Sequence, residues 1–412
     1  MKHKQSGTLN RRRLLQYCGA LAVGGITLPF SACSTGSNSY VQTNLVANSA
    51  AYRPLFVEPS FINAWGIAIR PKGAGGHFWV GAGNTSYQYV GDVKASSQTN
   101  LQTLFQDGLK VVTVDQESIT GVVFNGADLN SGNFRVTQQQ AGAVTFDGSA
   151  RFVFVTDTGK VSAWTDRANT GAIVRVDGPA ELMYDGSAEG SAFFGAAINT
   201  QWNTMWLADF GSNPSIVTLN QNWQKVATTG FANPFGSGPA GQVVPGDPVP
   251  FNIQVLNGRV FVAYAISQEE NGGFYAGEED AMDADEEEKT GFKPNRGKLA
   301  EFTQSGQLVR VFDDAMRLNA PWGLAIAPSD FGALSGALLV GNFGGAGRIC
   351  GFDLSSGAYI DDMRDGSGNP IRIAGLWGLQ FGNGESLGDS NALYFAAGPA
   401  DETDGLFGVI RA

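Results

Sequence analysis

The amino-acid sequence predicts an all-β fold, a six-bladed β-propeller whose N- and C-terminal strands close one blade. Three observations carry this. The 412 residues include 56 Gly and 27 Phe but only 16% charged residues, which makes a chain of many turns with enough apolar mass for a large core. One phrase recurs six times: a short apolar strand, a break, a second strand and a glycine-bearing turn. An alternating stretch precedes the first copy and another follows the last, so two strands remain to share a sheet.

The fifth copy is the plainest. Pro321-Trp322-Gly323-Leu324-Ala325-Ile326 reads as a strand, Ala327-Pro328-Ser329-Asp330 breaks it, Ala337-Leu338-Leu339-Val340 forms the next strand, and Gly344-Gly345-Ala346-Gly347 turns the chain. The earlier copies open at Ala64-Trp65-Gly66-Ile67, Thr120-Gly121-Val122-Val123, Phe194-Gly195-Ala196-Ala197 and Phe251-Asn252-Ile253. The sixth opens at Leu376-Trp377-Gly378-Leu379. Equivalent points at Gly66, Gly121, Gly195, Asn252, Gly323 and Gly378 stand 55, 74, 57, 71 and 55 residues apart, which is the size of a propeller blade. No copy can bury its sheet alone, whereas six arranged radially can. Tyr40–Ala47 before the first copy and Leu406–Ile410 after the sixth supply the closing strands.

The segment 1–33 reads as an export signal. Asn10-Arg11-Arg12-Arg13-Leu14-Leu15-Gln16 has the form of a twin-arginine signal, the apolar run Tyr17–Phe30 is too short to span a bilayer, and Phe30-Ser31-Ala32-Cys33 resembles a lipobox with Phe in place of the usual Leu. Lipidation at Cys33 is the expectation, followed by a polar tether, 34–39, and the propeller, 40–412. The expected location is therefore periplasmic or cell-envelope, with membrane contact only through the lipid anchor. With Cys18 removed and Cys33 modified, Cys350 remains alone as a buried small hydrophobe, and no disulfide supports the fold. The net charge of −11 excludes nucleic acid as a partner, and the protein is read as a monomer.

The motifs Leu318–Phe343, Gly375–Gly384, Leu393–Pro399 and Gly405–Gly408 resemble those of a bacterial family of exported propellers of unassigned function. The resemblance covers about residues 40–412. More distantly the chain is similar to NHL-repeat and gluconolactonase-like six-bladed propellers. These motifs are Trp, Gly and apolar strand residues, so the resemblance implies scaffold and not chemistry.

Chemistry is sparse. His77, at the mouth of a strand, is the one histidine beyond the export signal, so a multi-histidine metal site is excluded and any histidine-based catalytic unit would have to use it. Trp65, Trp322 and Trp377 recur at equivalent points, which argues for packing between blades. The turns after the second strands carry Asn84, Asp157, Asp209, Asn342 and Asp401, and Asn63 and Asn319 precede the Trp-Gly motifs. These seven are the candidate ligand-binding residues at the channel mouth, although Asp and Asn are also ordinary turn formers. Calcium is the cofactor such oxygen-bearing turns would take, with Asp157 and Asp209 as metal candidates. An acidic insertion, 267–298, interrupts the fourth copy with ten acids against four basic residues and is expected to be a solvated loop. The expected function is binding of a small molecule, glycan or protein at the channel mouth without an assignable reaction. The alternative is a calcium-dependent lactonase or hydrolase of the six-bladed type.

Overall fold

A computed structural model describes residues 37–93, 109–115 and 117–412. The expected export segment, Cys33 and the start of the tether lie outside the described residues. Six sheets make six blades, antiparallel except for one parallel outermost pair in each of the first and the sixth. Their inner strands are Ala64–Ala68, Ile119–Phe124, Phe193–Ile198, Pro248–Leu256, Pro321–Ile326 and Leu376–Phe381, one for each copy of the sequence phrase. The extra length of the second copy folds into two small ribbons, Arg135–Val136 with Gly148–Ser149 and Gln140–Ala141 with Val144–Thr145. The closure follows expectation: Val41–Ala47 pairs antiparallel with Leu406–Arg411, from Val41 opposite Arg411 to Ala47 opposite Leu406. No disulfide is needed to join the ends, because the two edges satisfy each other's backbone groups.

The recurring glycines are dictated by how closely the inner strands meet. A Cβ on Gly66 would lie 2.5 Å from the Val122 nitrogen, and one on Gly323 or Gly378 would lie 2.4 Å from the carbonyl of Trp377 or Trp65. Asn252 departs from this ring. Its Nδ2 donates to the Trp322 carbonyl at 2.7 Å and its Oδ1 accepts from the Ile253 amide at 2.8 Å. Gly195 faces it, and a Cβ there would sit 2.0 Å from Asn252 Oδ1.

Above this ring, at the face where the inner strands begin, an aromatic cluster seals the axis. Trp65 and Trp377 stack with centroids 3.5 Å apart, Phe343 stacks on Trp377 at 3.8 Å, and Trp322 meets Trp65 edge-on at 6.2 Å. All three Trp rings are buried, as their packing role required, but they pack across the axis and not only between neighbouring blades.

The acidic insertion is largely exposed, as a solvated segment should be, but it is not an irregular loop. Arg259–Glu270 and Gly273–Glu279 pair as a hairpin, followed by a short helix, Ala284–Lys289, capped by Asp283. Phe274 and Ala281 pack against the aromatic cluster, and the Gly277 amide donates to the Phe210 carbonyl at 3.0 Å. The helix drives Glu287 into the interior. Its carboxylate takes Arg348 Nη2 at 2.8 Å and the Ala346 amide at 3.0 Å, while Arg348 Nη1 reaches Asp362 at 2.6 Å. Glu287 and Arg348 are 0% exposed and Asp362 2%. A self-repelling acidic run is therefore ordered by one buried cation and lies over the upper face of the propeller.

Candidate functional site

The upper mouth of the channel is built by two segments. The first is the turn after the second strand of the sixth blade. Ala400, Asp401 and Glu402 have φ of 56°, 50° and 62°, three consecutive non-glycine residues in the left-handed region. The Glu402 amide donates to the Gly398 carbonyl at 3.2 Å and the Asp404 amide to Pro399 at 3.1 Å, which closes one left-handed turn. Each such residue costs about 1–2 kcal/mol, and strain of this kind gathers where a side chain must be aimed. The second segment is the hairpin of the insertion, which ends at Glu279.

The turn aims Glu402 at the aromatic cluster. Its Oε1 is buried without a hydrogen bond of good geometry, and so is Trp377 Nε1. Burial pushes the carboxyl's pKa above the ordinary value, although the polar groups of Asn63, Trp377 and Trp65 nearby favour the charged form. Asn63, itself left-handed at φ 48°, accepts from Trp65 Nε1 at 2.7 Å. Glu279 is pushed up to about 7, first by burial and then by the charges of Glu402 and Glu278. Neither Glu279 nor Glu402 takes part in a salt bridge among the described residues. Two mutually repelling carboxyls thus share the mouth, and among the described residues neither is paired with a cation.

The other expected residues are turn and frame groups. Asp209 is buried, and its Oδ1 accepts from the amides of Ala192 and Gly211, both at 2.9 Å. Asp157 lies in the second blade's turn, with Oδ1 buried and unpartnered and its pKa raised first by burial and then by Glu117. Asn84 is exposed and accepts from the Thr85 hydroxyl at 3.1 Å. Asn319 is 0% exposed and clamps the insertion, accepting from the Met282 amide at 3.0 Å and donating to the Met282 carbonyl at 2.9 Å. Asn342 accepts from the Asn319 amide at 2.9 Å. Asp401 is exposed, beside the residue that does face the mouth. Of the seven, only Asn63 joins the Glu402 site. His77 is buried and not at the surface.

No carboxylate cluster for calcium forms among the described residues. No three of their His, Cys, Asp or Glu side chains gather in metal-binding geometry, and the Oδ1 of Asp209 is occupied by backbone amides.

No protein-family model matches the chain. An uncharacterized protein of Acanthamoeba polyphaga mimivirus is 28% identical over 401 residues, covering 96% of this chain and 85% of the viral one. A second uncharacterized mimivirus protein is 32% identical over 206 residues, which are 50% of this chain and 48% of that protein. These relatives are viral, so membership of a bacterial family does not follow from them. Among solved structures, a glucose dehydrogenase aligns over 90% of this chain and 99% of its own at 12% identity with a TM-score of 0.43. A gluconolactonase from Xanthomonas campestris aligns over 68% and 88% at 14% identity with a TM-score of 0.35. Likeness at this level brings no activity to this chain.

Glu279 and Glu402 are the functional candidates that sequence reasoning missed. Glu402 stood one residue past Asp401 in a turn already singled out. Glu279 was hidden among ten acids, and nothing in its local sequence separates it from Glu278.

Proposed function

We propose that this protein is a binding propeller whose upper channel mouth takes an organic cation, an amine or guanidinium group, between Glu402 and Glu279. The observation that carries this reading is the buried Glu402 carboxyl, with uncharged Trp and Asn groups alone beside it and no hydrogen bond of good geometry to its Oε1, close to a second carboxyl. A cation placed there would satisfy this oxygen, relieve the repulsion between the two acids and lie over the aromatic cluster. The strained turn that aims Glu402 supports the same reading, because a merely solvated acid would not require it. Export and lipid attachment at Cys33 form part of this proposal, on the strength of Arg11-Arg12-Arg13 and the lipobox-like Phe30–Cys33. Membrane fractionation of a Cys33→Ala chain against the parent checks that part.

The binding claim is tested by calorimetric titration with agmatine, using sodium chloride at matched ionic strength as the control. Saturable binding is expected at pH 8, weakened tenfold or more by Glu402→Gln, since a charge-assisted hydrogen bond contributes about 1.5–3 kcal/mol. No saturable heat, or heat unchanged in the Glu279→Gln/Glu402→Gln double variant, would refute it.

A further inference from the structure

The opposite end of the channel differs in every respect from the upper mouth. There the last residues of the inner strands surround two adjoining cavities of about 200 and about 320 Å³, which share Val255, Leu256 and Gln380 as wall. They form a blind cup. The ring of close strand contacts at Gly66, Gly121, Gly195, Asn252, Gly323 and Gly378 narrows the axis above it, and the Trp65/Trp322/Trp377 cluster seals the far end.

We infer that this cup is a second binding site, for a small neutral molecule with an apolar body and one hydrogen-bond donor. No Asp, Glu, Lys or Arg lines either cavity, so a charged ligand would lose its hydration without compensation. The walls are mainly aliphatic and aromatic, with Ile67, Ala197, Trp202 and Leu379 among them. Four polar residues line the walls, Thr200, Gln254, Asn257 and Gln380; the Thr200 hydroxyl already donates to Gln304 at 3.0 Å, Asn257 is exposed, and Gln254 carries the unmet group. Its neighbours Ile253 and Val255 pack into the fourth-blade interior, while its own Oε1 is buried and has no partner. Gln380 is different, because its Nε2 already donates to the Phe381 carbonyl at 2.9 Å. An unmet buried acceptor costs about 1–3 kcal/mol, which a ligand's hydroxyl or amide N–H would recover once the Gln254 side chain, which lines the cup, turns its oxygen toward it. The size suits a one-ring or short-chain molecule, given that an apolar cavity of about 150 Å³ holds benzene.

Benzyl alcohol and toluene test the inference, since they share a ring and differ in the donor. Titration of each into the full chain, followed by Trp fluorescence and by protein NMR shifts around Trp202, is expected to give saturable binding. Benzyl alcohol should bind about three- to tenfold more tightly than toluene, the worth of one neutral hydrogen bond. In Gln254→Leu and in the isosteric Gln254→Met the preference should vanish while toluene still binds, and Glu402→Gln should leave both affinities unchanged. Absence of saturable binding by either compound, or a preference for benzyl alcohol that survives in both Gln254 variants, would overturn the site.

Discussion

Replacement of Glu287 by Ala should destabilise the protein by about 3–5 kcal/mol, because one member of a fully buried ion network is removed while the others stay in place. Arg348 is 0% exposed and is held by Glu287 at 2.8 Å and Asp362 at 2.6 Å. Arg317 approaches the same Asp362 at 3.8 Å, so loss of Glu287 leaves two guanidinium groups competing for one carboxylate in the interior. The Ala346 amide loses its acceptor in the same step. Glu287→Gln keeps an acceptor but not the charge and should fall between the parent and Glu287→Ala. Urea unfolding measures both. A second readout follows from where Glu287 sits: the helix Ala284–Lys289 is tied to the fifth blade through it, so trypsin should cut after Lys289 faster in the variant. A loss below about 1 kcal/mol with unchanged cleavage would show that the network does not anchor the insertion.

The second large effect is on pH. Glu279 is raised from an ordinary 4.5 to about 7 in the folded state. A carboxyl raised by folding binds its proton more tightly in the native chain than in the unfolded one. Its contribution is therefore complete below about pH 4.5 and is lost as the pH rises through about 7. The shift corresponds to at most about 3 kcal/mol, and solvent access at the mouth reduces this to about 1–2 kcal/mol. Melting temperature should fall between pH 5 and pH 8 in the parent and fall less in Glu279→Gln. Asp353 acts in another window: hydrogen bonds from Ser355 and Ser356 hold it down at about 2, so its stabilisation disappears only in strong acid. Superimposable profiles for parent and variant between pH 5 and 8 would remove Glu279 as a perturbed group.

The blades were legible because each copy repeats the same demands: a glycine where inner strands touch, apolar residues where sheets face each other, and a turn between them. The closure was legible for a similar reason, since Tyr40–Ala47 and Leu406–Ile410 were strands without partners. The insertion was not. Its order depends on Arg348, 61 positions away from Glu287, and no local pattern marks one acid of ten as buried. Asp209 and Asn319 were singled out as oxygen donors, but their oxygens meet backbone amides, the use that turns and clamps make of them. Glu402 escaped because three successive left-handed residues without glycine cannot be inferred from Ala-Asp-Glu, and it is that turn which decides which acid faces the mouth.

Cation binding at the mouth requires Glu279 and Glu402 to act as one proton-holding pair that a cation can discharge. The most direct measurement is the agmatine titration at pH 6.5, repeated in two buffers of different ionisation enthalpy. Binding of a cation lowers the proton affinity of the pair, so proton release into the buffer is predicted, diminished in Glu279→Gln. Equal heats in the two buffers, with binding intact, would mean that no shared proton leaves the mouth and would contradict the carboxyl-pair site.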